Sequence, residues 1–207
     1  MALVKYNNNS ISAITTAGQI ASGSMVLIKE QTASASATIS FVDGSDGVVL
    51  DSTYPIYKFE FINVHPATDN TPFKFQSSTD GGSNYNTTLT STTFRAYHYE
   101  NGSAAALEYR TGDDQAQGTA FQQITNNVGN ANDESLAGTL FLYNPSSTTF
   151  VKHFMCNTNE YNATVVSLNY FTAGYFNTTS AINAVQFKFN SGNIDSGTIK
   201  LYGIKDS

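Results

Sequence analysis

Between positions 57 and 62 the chain reads Tyr57-Lys58-Phe59-Glu60-Phe61-Ile62, with rings at alternate positions and charges between them. A period of two belongs to a strand with one buried face, because successive side chains leave a sheet on opposite sides. Val185-Gln186-Phe187-Lys188-Phe189 and Thr198-Ile199-Lys200-Leu201-Tyr202 repeat the pattern. Helical spacing has its best case in residues 11–20, at Ile11, Ile14 and Ala17, where β-branched neighbours and Gly18 oppose a helix. Ser, Thr and Asn make up about a third of the 207 residues. Their side chains compete for backbone hydrogen bonds and so favour strands and turns over helix interiors.

Twelve short apolar-rich runs, separated by turn residues, read as strands: 25–30, 37–42, 56–64, 72–78, 92–100, 105–110, 120–124, 138–143, 150–157, 165–170, 184–189 and 197–204. That number fills two stacked sheets. The expected fold is therefore all-β, a two-sheet antiparallel sandwich, jelly-roll-like, with an immunoglobulin-like sandwich as second choice. Thr79-Asp80-Gly81-Gly82-Ser83-Asn84 and Ser191-Gly192-Asn193 read as hairpin loops. Residues 1–24 are set apart as an extended N-terminal arm, since Leu3, Val4, Ile11, Ile14 and Ile20 are too sparse to fold alone and suit docking on another surface. Residues 25–207 form the sandwich domain.

With 40% hydrophobic and 13% charged residues the chain can bury a core and is neither a disordered chain nor a coiled coil. A net charge of -6 and ten scattered basic residues exclude nucleic acid, whose binding needs clustered Lys and Arg. Cys156 is the one cysteine, so packing alone must hold the fold. No signal-peptide run or 18-residue apolar stretch is present, which leads us to expect a product made in a cytoplasm, without membrane insertion.

The candidates for chemistry are few. His65, His98 and His153 lie far apart, without the close pair that zinc sites carry, so no metal and no cofactor is expected. Asp113-Asp114 and Asp133-Glu134 have the residue types of a glycosidase pair, but both lie in Gly, Asn and Gln-rich stretches that suit solvated loops. Asp43-Gly44-Ser45-Asp46-Gly47 lacks the remaining ligands of a calcium loop. Tryptophan is absent, so a glycan or receptor loop would have to stack sugars on tyrosine, with Tyr85, Asn86, Tyr97 and Tyr99 as the candidates.

Longer phrases carry a resemblance. Met1-Ala2-Leu3-Val4-Lys5 with Asn8-Asn9-Ser10-Ile11, Phe61-Ile62-Asn63-Val64-His65-Pro66-Ala67-Thr68-Asp69, Thr93-Phe94-Arg95-Ala96-Tyr97, Asn144-Pro145-Ser146-Ser147-Thr148-Thr149-Phe150 and Ser191-Gly192-Asn193-Ile194-Asp195-Ser196-Gly197 stand out. With Ser78-Thr79-Asp80-Gly81-Gly82-Ser83-Asn84-Tyr85-Asn86, they resemble structural proteins of tailed bacteriophages infecting marine bacteria or cyanobacteria. The resemblance implies a non-enzymatic virion protein without a catalytic motif. The expected role is an outward-facing capsid decoration protein anchored by its arm, with a tail- or fibre-associated receptor- or carbohydrate-binding module as the alternative. Its expected partners are other virion proteins of capsid or tail, further copies of itself in a homo-oligomer such as a trimer, and a host surface glycan.

Overall fold

The computed structural model describes residues 24–162 and 164–205. The arm residues Leu3, Val4, Ile11, Ile14 and Ile20 lie outside them. Among the described residues there is no helix, and twelve strands follow one another. They are β1 (Met25–Thr32), β2 (Ile39–Val42), β3 (Ile56–Pro66), β4 (Phe73–Ser78), β5 (Leu89–Tyr99), β6 (Ala105–Tyr109), β7 (Gln122–Gln123), β8 (Leu136–Tyr143), β9 (Lys152–Asn162), β10 (Val166–Phe176), β11 (Ala184–Phe189) and β12 (Ile194–Ile204). Each predicted run overlaps one of them; β3, β5, β9, β10 and β12 run beyond the expected bounds, whereas the run at 120–124 shrinks to the two residues of β7.

The strands form two antiparallel sheets packed as a sandwich. Eight lie in the order β1-β12-β3-β8-β9-β10-β5-β6 and four in the order β2-β11-β4-β7. The pairs β2 with β11, β3 with β8, β4 with β7 and β5 with β6 nest within one another along the chain. That nesting is what one long hairpin, turned at β5–β6 and wrapped over itself, produces. Between β3 and β10 the meander β8-β9-β10 widens the large sheet, and β12 with β1 extends it beyond β3.

The two expected hairpin loops are not hairpins. Residues 79–84 leave β4 in the small sheet and lead to β5 in the large one, and residues 191–193 cross in the same way from β11 to β12. Turn chemistry marks where a chain reverses and carries no information about which sheet the next strand joins. The sharpest backbone demand lies at Gly197, in the irregular pairing of β12 with β3. Its φ of +112° is open to glycine, and a Cβ there would come within 2.6 Å of the Asn63 carbonyl oxygen.

Alternation builds the core. Tyr57, Phe59 and Phe61 of β3 turn inward and are buried, while Lys58 and Glu60 turn outward and pair at 3.1 Å. Phe187 of β11 meets five rings, those of Phe59 and Phe61 across the sandwich and of Phe41, Phe73 and Phe75 in its own sheet, at centroid distances of 5.1 to 6.3 Å. Phe75 extends the cluster to Phe154 and Phe176 at 5.1 and 6.0 Å. Edge-on and stacked ring pairs at such separations add to the free energy of burial itself.

Phe187→Ala should therefore destabilise the fold by about 3–5 kcal/mol, the usual loss at an emptied buried aromatic site. Urea denaturation of the two proteins reads this directly, and a loss below about 1 kcal/mol would mean that the neighbouring rings close the gap.

Candidate functional site

The inner face of the large sheet changes character along its width. Beneath β5, β9 and β10 the aromatic cluster gives way to buried polar side chains, among them Ser91, Thr93, Gln122, Thr158, Glu160 and Thr172. Thr93 donates to Thr172 at 3.3 Å, and most of the others pair with the long segment from β6 to β8, to which Gln122 belongs. Ser91 donates to Gln122 at 2.7 Å, Thr158 to the Ile124 carbonyl at 2.5 Å, and the backbone N–H groups of Asn126 and Asn127 donate to the two Glu160 oxygens at 2.9 and 3.1 Å. Arg95, inward on β5, forks onto Glu108 at 3.0 and 3.1 Å and reaches Asn126 Oδ1 at 2.6 Å. Buried polar groups hold a fold only when paired in this way.

This network frames a cleft of about 150 Å³ between β5 and β10, lined by Arg95, Tyr97, Tyr99, Asn126, Asn162 and Leu168. The Tyr97 and Tyr99 rings stand perpendicular at 5.9 Å, and the Arg95 guanidinium lies 5.4 Å from the Tyr97 centroid. Two of the sequence candidates thus come together. Tyr85 and Asn86 do not join them, because they precede β5 and are separated from Tyr97 by about 25 Å of strand. Tyr85 is half-buried over Gly82, and Asn86 is exposed. The loop before them is organised by Asp80, whose carboxyl is held down to about 2 by hydrogen bonds from Ser78 and Asn84.

Three of the four acids in the two pairs hold loops. Asp113 accepts from the Tyr170 hydroxyl and pairs with Arg110 at 2.9 Å, Asp114 accepts from the Tyr109 hydroxyl, and Glu134 accepts from the Ala131 N–H at 2.7 Å. In the loop after β2, Asp43 accepts from Leu50 N–H at 2.8 Å and Asp46 pairs with Lys29. No group of three or more His, Cys, Asp or Glu side chains able to hold a metal occurs among the described residues.

The outward face of the large sheet carries a feature that the sequence analysis missed. On β1, β12 and β3 it presents charges that pair among themselves, Lys58 with Glu60 and Lys200 with Glu30, both at 3.1 Å. The outward positions of β8, β9, β10, β5 and β6 include no Asp, Glu, Lys or Arg. Met155, Phe171, Phe94, Leu107 and Tyr109 stand exposed there, at 38 to 72% of their full surface. Phe94 and Phe171 stack at 4.9 Å and form a ridge. Beside it a groove of about 400 Å³ is lined by Thr92, Tyr143, His153, Met155, Ala173 and Tyr175. The sequence signal was available: Lys58 and Glu60 punctuate β3, whereas Leu140-Phe141-Leu142-Tyr143 is apolar at every position.

Burial pushes the Glu160 carboxyl up from 4.5 to about 7, against the pull of its backbone donors, Thr125 and Arg95. An acid with a raised folded-state pKa binds its proton more tightly when folded. Its contribution is complete below pH 4.5 and is lost as pH rises through about 7. We expect urea melts between pH 5 and 8 to show a stability loss on the order of 3 kcal/mol from this group. Glu160→Gln should be less stable at pH 5, having one acceptor fewer, and should lose most of that pH dependence, so that the deficit narrows as pH rises through about 7. A wild-type stability that rises over this interval would show that the donors prevail over burial.

No family model, curated protein or solved structure matches this chain, so its site is described by its own geometry alone.

Proposed function

We propose that this chain is a non-enzymatic structural protein of a bacteriophage virion, an outward-facing capsid decoration protein anchored to the particle by residues 1–24. The observation that carries the reading is the uncharged, aromatic outward face of β8, β9, β10, β5 and β6. Exposed apolar patches of this extent mark surfaces that other proteins cover. The net charge of -6 supports it as well, since most of the acids stand on loops and keep crowded copies soluble. The nested strand pairs support a jelly roll, with additions at the β1–β12 edge and in β9 and β10, which stand between β8 and β5. Its partners on this reading are other virion proteins and further copies of the same chain.

Gold-labelled antibody against the chain should decorate capsids of intact particles. Label confined to tails would overturn the capsid position, and unlabelled particles would overturn the virion reading. Deleting residues 1–24 should abolish attachment and leave a cooperative thermal melt, because the described core is built from residues between Ala33 and Leu201. A truncated protein without a cooperative melt would make the arm part of the fold.

The Tyr97–Tyr99 cleft favours a second reading, a tail- or fibre-associated module for a host surface glycan. Two rings and the amides of Asn126 and Asn162 offer the stacking and donor groups that a sugar uses. Glycan arrays probed with the native protein and with Tyr97→Ala test it. Binding lost in the variant supports this reading, and an array blank for both proteins removes it.

A further inference from the structure

We propose that the outward face of β8, β9, β10, β5 and β6 pairs with the same face of a second copy of this chain about a two-fold axis. The inference rests on the reading of this chain as an assembly protein and names the partner of that face. Three observations choose a second copy as the occupant.

The first is charge. The chain carries -6 in all, yet this face has no Asp, Glu, Lys or Arg, and its ionisable groups are histidines and tyrosines. A basic partner would be drawn to the acidic loops and would find no ion to pair with here. Two identical acidic molecules repel least where neither is charged, so this is the surface on which like can meet like.

Size is the second. Five strands about 4.8 Å apart and about nine residues long at roughly 3.3 Å per residue span some 700 Å². That is close to the roughly 800 Å² that each partner contributes to a stable interface of standard size.

The third is shape. A two-fold interface must be complementary to itself, so each bump needs a hollow on the same surface. Here the stacked Phe94 and Phe171 form the ridge, and the groove at Ala173 lies beside it on the same strand as Phe171. An axis passing between Phe171 and Ala173 seats the ridge of each copy in the groove of the other. The two sheets then lie face to face as in a sandwich, with the aromatic rings taken out of water. The paired charges on β1, β12 and β3 stay at the margin, where solvent reaches them.

Sedimentation equilibrium of the purified full chain at micromolar concentration should show a dimer. Phe171→Lys and Ala173→Glu should each weaken self-association by about 100-fold, as expected for a charge forced into the centre of an apolar contact. Mixing the two variants should restore dimers, because the introduced ammonium of one copy then faces the introduced carboxylate of the other. Met155→Lys, at a side chain 55% exposed, repeats the test where the fold tolerates a charge, and thermal melts confirm that each variant is folded. A wild-type monomer, a trimer, variants that still dimerise or a mixture that stays monomeric would overturn the proposal. Particle labelling separates the two readings. A monomer that still labels particles overturns the pairing alone, whereas a dimer absent from particles overturns the virion reading alone.

Discussion

The clasp of Phe187 between the sheets is the contact on which the sandwich depends. β11 lies inside the four-stranded sheet, and its Phe187 ring touches neighbours in β2 and β4 of its own sheet and two rings of β3 opposite. Strand pairing alone sets the order within each sheet. It does not fix one sheet over the other, because backbone ladders do not cross the interior. Side chains of β3, β9 and β10 that meet β2, β4 and β11 do so, and with Cys156 free and buried no disulfide assists them. Burial also pushes the Cys156 thiol up, which leaves it protonated and poorly nucleophilic.

Four strands cannot cover eight, and the consequence shapes the inner face. Where the small sheet ends at β7, the segment between β6 and β8 takes over the covering. A segment of this kind brings unpaired backbone groups with it, and these need partners. Polar side chains on the inner face of β5, β9 and β10 supply them, which accounts for Glu160, Thr158 and Thr172 at sites that alternation alone would assign to apolar residues. The cleft at Tyr97 and Tyr99 lies where this covering stops. Its shape is thus set by Glu160 and Arg95, two groups beneath it that hold Asn126 in place.

Fold class and strand positions were legible because they rest on local signals. Period-two alternation placed Phe59 and Phe187 on buried faces, and both are buried. Connectivity was not legible at residues 79–84 and 191–193, since Gly and Asn announce a reversal whether the chain turns within a sheet or crosses to the other. The same locality limits the site. Tyr97 and Tyr99 are two positions apart on one strand and share a face by necessity, whereas their separation from Tyr85 depends on the length and direction of β5. Glu160 reads in sequence like any acid on a strand. Only the packing of Asn126 and Asn127 against it shows that it is buried and hydrogen-bonded.

The large sheet uses its two outward halves differently. An edge strand offers unpaired backbone groups, and at β1 the irregular pairing between Leu27 and Lys29, together with Lys29 and Glu30, discourages further strand addition. On that side the charges are matched, so the surface can face water indefinitely. From β8 to β6 neither device is present on the face: aromatic side chains stand exposed with hydroxyls and amides between them. A face that water covers permanently gains nothing from Phe94, Phe171 and Leu107, and threonine or lysine would serve the strand equally well. Their cost in exposed apolar surface is recovered only when another surface covers them, and this is the physical ground on which the assembly role is proposed.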